Sequence, residues 1–328
     1  MKILVDTMGS DKGSHALVTG AMNAATKWEF EPILVGDEQE ITNVISEGNW
    51  KIKPQIIGLN EVISNDESPT LAIRRKKDSS MVKALELLRD GHADGMVSAG
   101  STGALLAGGM LILKRINGLK RAALTSIYPT TKGMSLLVDA GANVELTPET
   151  LTQFAIMASI YYSNTFNITN PRVALVNVGT EKGKGHSFAQ ETYGLLEKSP
   201  VNFIGNIEAR EIPFGGSDII VCDGFTGNII LKLTEGMALA MVYRVKKAVM
   251  SSFISKVGAL LIKPALTKMK KDLDYREYGG VPLLGLTAPV FKAHGSSDDY
   301  AVENAIGRLI DFIKADVIKQ LEVEIKGE

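Results

Sequence analysis

The chain has a single cysteine, Cys222, so it can build neither a disulfide framework nor a thiolate metal cluster, and a reducing compartment suits it. Histidine is nearly as sparse. His15, His92, His186 and His294 are the full set, and none stands at metal-ligand spacing from another or from Cys222. No Gly-x-Ser-x-Gly elbow occurs, which leaves a covalent serine mechanism without support. No Gly-x-Gly-x-x-Gly follows a strand and no aspartate cluster suggests a metal, so a dehydrogenase of the isopropylmalate type is disfavoured. Charge of one sign is lacking too: 36 Lys+Arg against 37 Asp+Glu offer nothing to nucleic acid, and any charge signal must be local. The start Met-Lys-Ile-Leu-Val-Asp reads as a first strand rather than a signal peptide, and no run of ~18 apolar residues stands out. Neither export nor membrane spanning is expected.

At 328 residues, with 45% apolar and 22% charged side chains, the chain can bury a substantial core as one large α/β unit. Strand-like Lys2 to Asp6, Pro32 to Val35 and Gln55 to Gly58 alternate with helical patterns from Ser14 and Glu38, the rhythm of a parallel sheet. Asn60 to Lys77 reads as a polar connecting or lid-like segment. Pro-Thr-Thr-Lys-Gly between two apolar runs predicts a hairpin near residue 131, and Thr147-Pro148-Glu149 opens a helix. A long helix is expected from Thr226.

Four short apolar runs end abruptly in glycine and small polar residues before a helical pattern. They lead into Ser98-Ala-Gly-Ser-Thr-Gly103, Asp139-Ala-Gly-Ala-Asn143, Asn177-Val-Gly-Thr-Glu-Lys-Gly-Lys-Gly185 and Cys222-Asp-Gly-Phe-Thr-Gly-Asn228. In an open parallel sheet such turns share one edge, where backbone N–H groups and helix starts suit phosphate. A single turn of this kind is more often just a tight connection; four on one predicted edge point to a phosphate-handling enzyme. Lys182 and Lys184 lie between glycines, free to reach an anion or simply to meet solvent. Asn228 is a mediocre helix former that needs a partner if buried.

From Gly236 to Lys271 there is no acidic residue, while Arg244, Lys246, Lys247, Lys256, Lys263, Lys268, Lys270 and Lys271 are basic. On a helix, Phe253, Val257, Leu260 and Leu261 share a face with Lys256 and Lys263 at its margins, a pattern that serves an interfacial helix as well as a buried or dimeric one. Pro264 then suggests a helical hairpin over 244–275. An acidic carrier protein would also be drawn to this charge.

Together the turns, Asp6-Thr-Met-Gly-Ser-Asp11, Asn206-Ile-Glu-Ala-Arg210 and Tyr278-Gly-Gly-Val-Pro-Leu-Leu-Gly285 with His294-Gly295 resemble the phosphate acyltransferase family of bacterial phospholipid synthesis, in that family's order along nearly the whole chain. Ser10, Ser101 and Ala209 depart from its usual glycine, asparagine and glycine. The resemblance implies a three-layer α/β/α fold with a largely parallel sheet, related to phosphate acetyltransferases and isopropylmalate dehydrogenases, in a single domain over 1–328. It implies a cytoplasmic homodimer that meets the membrane peripherally through the basic hairpin and needs no cofactor or metal. The implied reaction moves a fatty acyl group from acyl-[acyl-carrier-protein] to inorganic phosphate, and the acyl phosphate passes to a membrane glycerol-3-phosphate acyltransferase.

Residue chemistry agrees, because phosphate is already anionic and needs positioning and oxyanion stabilisation more than a strong base. Lys182 or Lys184 would neutralise phosphate, Asn228 with N–H groups near Gly227 would hold the carbonyl oxygen, and His294 would protonate or orient the leaving thiol. Ser98, Ser101 and Thr102 would cradle phosphate, with Asp6, Gly9, Gly100, Gly103, Asn143, Gly179, Asp223 and Thr226 completing the substrate-binding set. Two rivals remain at this point: an acetyl-CoA-dependent phosphate acetyltransferase, and a non-catalytic membrane-surface scaffold that recruits carrier protein.

Overall fold

The computed structural model describes residues 1–272 and 275–326; residues 273–274 and 327–328, and the side chains of residues 266, 268–272, 275 and 326, lie outside the described residues. Of the basic run, Lys268, Lys270 and Lys271 therefore fall outside the described side chains. The first half of the chain runs β1 (Lys2–Asp6), α1 (Gly13–Trp28), β2 (Glu31–Gly36), α2 (Glu38–Glu47), β3 (Gln55–Gly58), α3 (Pro69–Arg75), α4 (Ser80–Arg89), β4 (Gly95–Ser98) and α5 (Thr102–Gly108). A π turn over Gly109–Leu113 continues α5. Next come β5 (Ala123–Thr130), β6 (Gly133–Val138), α6 (Pro148–Phe166), β7 (Arg172–Asn177), α7 (Ser187–Leu196), β8 (Asn202–Glu208) and β9 (Ile219–Val221). The chain closes with α8 (Gly224–Val249), α9 (Phe253–Asp272), β10 (Gly280–Leu284), β11 (Val290–Ala293), α10 (Asp299–Lys314) and α11 (Val317–Lys326).

All strands join one sheet in the order β3-β2-β1-β4-β11-β10-β5-β6-β9-β7-β8. Alternate residues of each strand feed opposite faces, as a pleat demands. Ile3 and Val5 belong to a buried cluster with residues of α1, α2, α6, α7, α10 and α11, whereas Leu4 belongs to one with residues of α3, α4, α5 and the start of α8. Leu136 and Val138 against Leu137 repeat the pattern in β6. Both faces are thus covered, which is why the strands read as near-continuous apolar runs, and each fully buried Leu, Ile or Val contributes about 1.5–3 kcal/mol. The result is the three-layer α/β/α architecture.

The sheet corrects one expectation. Pairing is parallel from β3 through β11, but β10 runs antiparallel to both β11 and β5, and β5 runs antiparallel to β6. The strands β6, β9, β7 and β8 are parallel to one another and therefore point opposite to β1 and β4. The four glycine turns consequently do not share an edge. The turn after β4 lies with those after β1 and β11; the turns after β6, β7 and β9 lie at the opposite edge. Hairpin β5–β6 is visible in the sequence; because β10 is antiparallel to both of its neighbours, β5 points with β11, and the hairpin is the step that reverses the strands beyond it.

Smaller differences have local causes. Ser14 lies inside α1 and bonds Glu40 rather than capping the helix, and Lys12 occupies the cap position. The segment Asn60 to Lys77 contains α3, opened by Pro69 in its first turn. The α8–α9 turn falls at 250–252, where the Ser251 hydroxyl bonds the Ala248 carbonyl and the Ser252 hydroxyl accepts the Ser255 N–H at 3.0 Å. Pro264 sits within α9, at the cost of a ladder hydrogen bond.

Among the described helices α8 is long and apolar enough to cross a membrane by length and composition; Lys232 and Glu235 interrupt it, so it shows no continuous apolar run. Its first half is tied to the sheet through Tyr128, whose hydroxyl lies 2.9 Å from that of Thr234. Beyond that point α8 and α9 project with their apolar side chains open: Leu239, Val242, Tyr243, Phe253 and Leu261 are all exposed, Phe253 by 80% and Leu261 by 77%. Val257, Leu260, Lys256 and Lys263 are exposed beside them.

Candidate active site

The edge where β1, β4 and β11 end gathers residues from three distant parts of the chain. Asp6 closes β1 and is 1% exposed. The Ser98 hydroxyl at the end of β4 donates to Asp6 Oδ2 at 2.7 Å and accepts the Gly100 N–H at 3.1 Å. Gly9, at φ +77°, faces Gly100 so closely that a Cβ would stand 3.2 Å from the Gly100 Cα, and the two glycine loops can touch only because neither bears a side chain. Ser101 occupies the cap position of α5 without bonding the helix through its hydroxyl. Thr102 and Gly103 begin that helix, where the first N–H groups have no partner within it.

The loop after β11 brings His294, whose Nδ1 lies 2.8 Å from the Ser296 hydroxyl. The residue is exposed. Desolvation, then the Lys232 ammonium of α8, holds its pKa below the usual imidazole range, so the ring is neutral near neutral pH. The loop after β1 is fastened to this one: the Ser10 hydroxyl and Asp11 N–H both donate to the Gly295 carbonyl at 2.9 Å. Nearby, the Ser297 hydroxyl is buried without a hydrogen-bond partner, a group that burial leaves in want of an acceptor or donor.

The opposite edge is a closed hydrogen-bonded knot. Buried Asp139 accepts the N–H groups of Leu124, Gly141 and Ala142 at Oδ1, and both the N–H and side-chain amide of Asn143 at Oδ2, each of these two at 2.7 Å. Asn143 spends its amide on Asp139 and on the Ala122 carbonyl. Asp223 caps α8 through the Thr226 N–H and hydroxyl. A Cβ at Gly227 would overlap the Asp139 carbonyl oxygen. Desolvation raises the Asp139 pKa against the pull of these donors. Asn228 is exposed on α8, one turn before Lys232 and on the same face.

The loop of residues 178–186 follows β7 on that same far edge. The Lys182 ammonium pairs with Glu197 at 2.5 Å, and Lys184 approaches Glu181 at 4.0 Å. Asn177 braces the loop by bonding the Lys184 carbonyl, and Gly179 packs beside Lys184. The structure therefore assembles Asp6, Gly9, Ser98, Gly100, Ser101, Thr102, Gly103 and His294 at one place. It sets Asn143, Asp223, Thr226, Gly227, Asn228, Gly179, Lys182 and Lys184 at the other edge.

Lys292 is the residue the sequence reading passed over. It is 8% exposed, and desolvation lowers its pKa to about 8 against the raising pull of Asp6 and Asp11. Its signal was present: a lysine inside Pro-Val-Phe-Lys-Ala interrupts an apolar run that otherwise reads as a buried strand. Lys232 carries no such signal, because the sequence there shows only a long helix.

The fold also occurs in solved structures. A phosphotransacetylase from Streptococcus pyogenes superposes with TM-score 0.63 at 19% identity, covering 97% of this chain and 94% of that one. A 4-hydroxythreonine-4-phosphate dehydrogenase from Klebsiella pneumoniae gives 0.54 at 13% identity, covering 95% and 99%. At such identities the likeness is one of fold, and it defines the class, an α/β/α scaffold shared by phosphotransacylases and certain dehydrogenases. Residues 1–320 match the family described as fatty acid synthesis protein. Phosphate acyltransferases from Alkaliphilus oremlandii and Clostridioides difficile are each 48% identical to this chain over 98% of its length, covering 96% and 95% of their own. The chain belongs to this phosphate acyltransferase family and is an acyltransferase.

Proposed function

We propose that the enzyme transfers a fatty acyl group from acyl-[acyl-carrier-protein] to inorganic phosphate at the edge formed by β1, β4 and β11. The observation that carries this reading is the convergence there of two touching glycine loops, the open start of α5 and a neutral histidine, in a chain of the phosphate acyltransferase family. A phosphate oxygen attacks the thioester carbonyl, the carbon–sulfur bond breaks, and the proton carried by phosphate leaves with the thiol. Ser101, Thr102 and Gly103 present hydroxyls and N–H groups to phosphate, and His294 relays the proton to the departing sulfur. Lys182, Lys184 and Asn228 stand outside this site.

The product supplies glycerophospholipid synthesis through a membrane glycerol-3-phosphate acyltransferase. The enzyme acts in the cytoplasm as a homodimer that touches the inner face of the membrane; the exposed apolar surface of α8 and α9, rimmed by Lys256 and Lys263, supports that contact. One competing donor is a CoA thioester. Purified protein incubated with phosphate and either palmitoyl-carrier protein or palmitoyl-CoA, with acyl phosphate trapped by hydroxylamine, decides between them. Hydroxamate from the carrier thioester alone supports the proposal; none from either donor refutes it.

A further inference from the structure

Lys292 and Ser98 are register partners in the parallel pair β11–β4, so the lysine lies directly beside the turn that opens the site. Its ammonium donates to the Ala99 carbonyl at 3.2 Å and to the Ala293 carbonyl. The N–H of the same Ala99–Gly100 peptide donates to the Ser98 hydroxyl at 3.1 Å, which in turn donates to Asp6 at 2.7 Å. One peptide unit is therefore gripped at both ends, its oxygen by a cation and its hydrogen by a hydroxyl backed by a carboxylate. Such charge-assisted bonds are roughly twice as strong as neutral ones, and here they are shielded from water.

We propose that Lys292 is a positioning residue for the reaction at this edge: together with Asp6 it clamps the Ala99–Gly100 peptide and so fixes the direction in which Ser101, Thr102 and Gly103 face phosphate. The inference rests on the phosphate acyltransfer reading given above. No other device sets that peptide among the described hydrogen bonds, and the side chain of Ser98 is fully occupied by the clamp, which leaves it no donor for substrate.

The grip depends on the proton of Lys292. Burial brings its pKa to about 8, with Asp6 on β1 and Asp11 in the following loop opposing the shift and Lys232 on α8 adding to it. His294 lies two residues beyond Lys292, Glu235 of α8 acts on His294, and Asp298 at the start of α10 is engaged by Arg276 at 2.8 Å. Desolvation also raises the Asp6 pKa, opposed by Ser80, Ser98, the Met8 N–H and Lys292. Loss of the lysine proton leaves a weaker neutral donor on the Ala99 carbonyl. Phosphate gains no further charge between about pH 8 and about pH 10, so an alkaline fall in that range belongs to the protein.

The test follows carrier-thiol release from about pH 6.5 to about pH 9.5, with inorganic phosphate as the varied substrate. Wild-type kcat/KM for phosphate should fall on the alkaline side with a midpoint near pH 8, most of the change lying in KM for phosphate. Lys292→Arg should carry that limb beyond the range, and Lys292→Met should lack it while losing about 10²-fold in kcat/KM for phosphate. KM for the acyl carrier should stay within about threefold. A flat wild-type profile, or an unmoved limb in Lys292→Arg, overturns the proposal. Should the lysine variants fail to fold, Ser98→Ala cuts the carboxylate side alone; a rise of about tenfold in KM for phosphate supports the clamp and an unchanged KM refutes it. Thermal stabilisation by inorganic phosphate reads the clamp without turnover. If no thiol is released, the reaction assignment fails, while stabilisation at about pH 7 that vanishes at about pH 9.5 still upholds the clamp; equal stabilisation at both values overturns it.

Discussion

A carboxylate removed from water persists only where donors replace the water, and the two buried aspartates meet that demand differently. Asp139 accepts five protein donors from four residues and holds the β6 turn closed. Asp139→Ala would orphan those N–H groups and should cost about 3 kcal/mol or more in urea unfolding, with little change in the binding of phosphate. Asp6 relies on Ser98 and Ser80, with Lys292 nearby. The lysine adds a stability signature. Its folded pKa, about 8, lies below its ordinary value of 10.5, so between these values the unfolded chain holds the proton more tightly and stability rises with pH. Relative to Lys292→Met, wild type should gain up to about 3 kcal/mol across that window, read by denaturant unfolding at each pH. Asp6, Ser98 and His294 were legible in the sequence because polar residues at strand ends announce themselves. Lys292 was not, because its chemistry comes from what surrounds it in space.

At the scale of elements, α8 is the member that joins the two edges. Its start is locked under the β6 turn, where Gly227 meets the Asp139 carbonyl, and two turns later Lys232 acts on His294. Gly227→Ala should lift the helix start and destabilise the fold by about 3 kcal/mol or more, measured by thermal or urea unfolding. The outer half of α8 and the exposed face of α9 carry the membrane proposal. Lys256→Glu with Lys263→Glu should release the protein from anionic liposomes in a flotation assay and leave turnover in solution within about twofold; retained flotation would refute an electrostatic membrane contact. Most elements were readable from period and caps: α2, β3, β4 and the start of α6 fall where the pattern puts them. Strands β10 and β11 were missed because Gly280–Leu284 and Val290–Ala293 are short, lie far along the chain, and owe their strand state to a place in the middle of the sheet.

For the molecule as a whole, the class of fold was legible and the layout of the site was not. Alternating strands and helices suffice for a three-layer α/β/α architecture. Strand direction is a property of pairing: β10 runs antiparallel to both β11 and β5 and so leaves β5 pointing with β11, and the antiparallel β5–β6 pair is what turns the second half of the sheet over. Turns that look equivalent in the sequence thereby separate, and the family motifs divide between the edge proposed for catalysis and the opposite edge. The most direct test of that division compares acyl phosphate formation by His294→Ala and Lys184→Ala, from palmitoyl-carrier protein and saturating phosphate. A loss of about 10²-fold in His294→Ala, with Lys184→Ala within about threefold of wild type, is the expected result. The reverse pattern would place the reaction at the far edge and contradict the site described above.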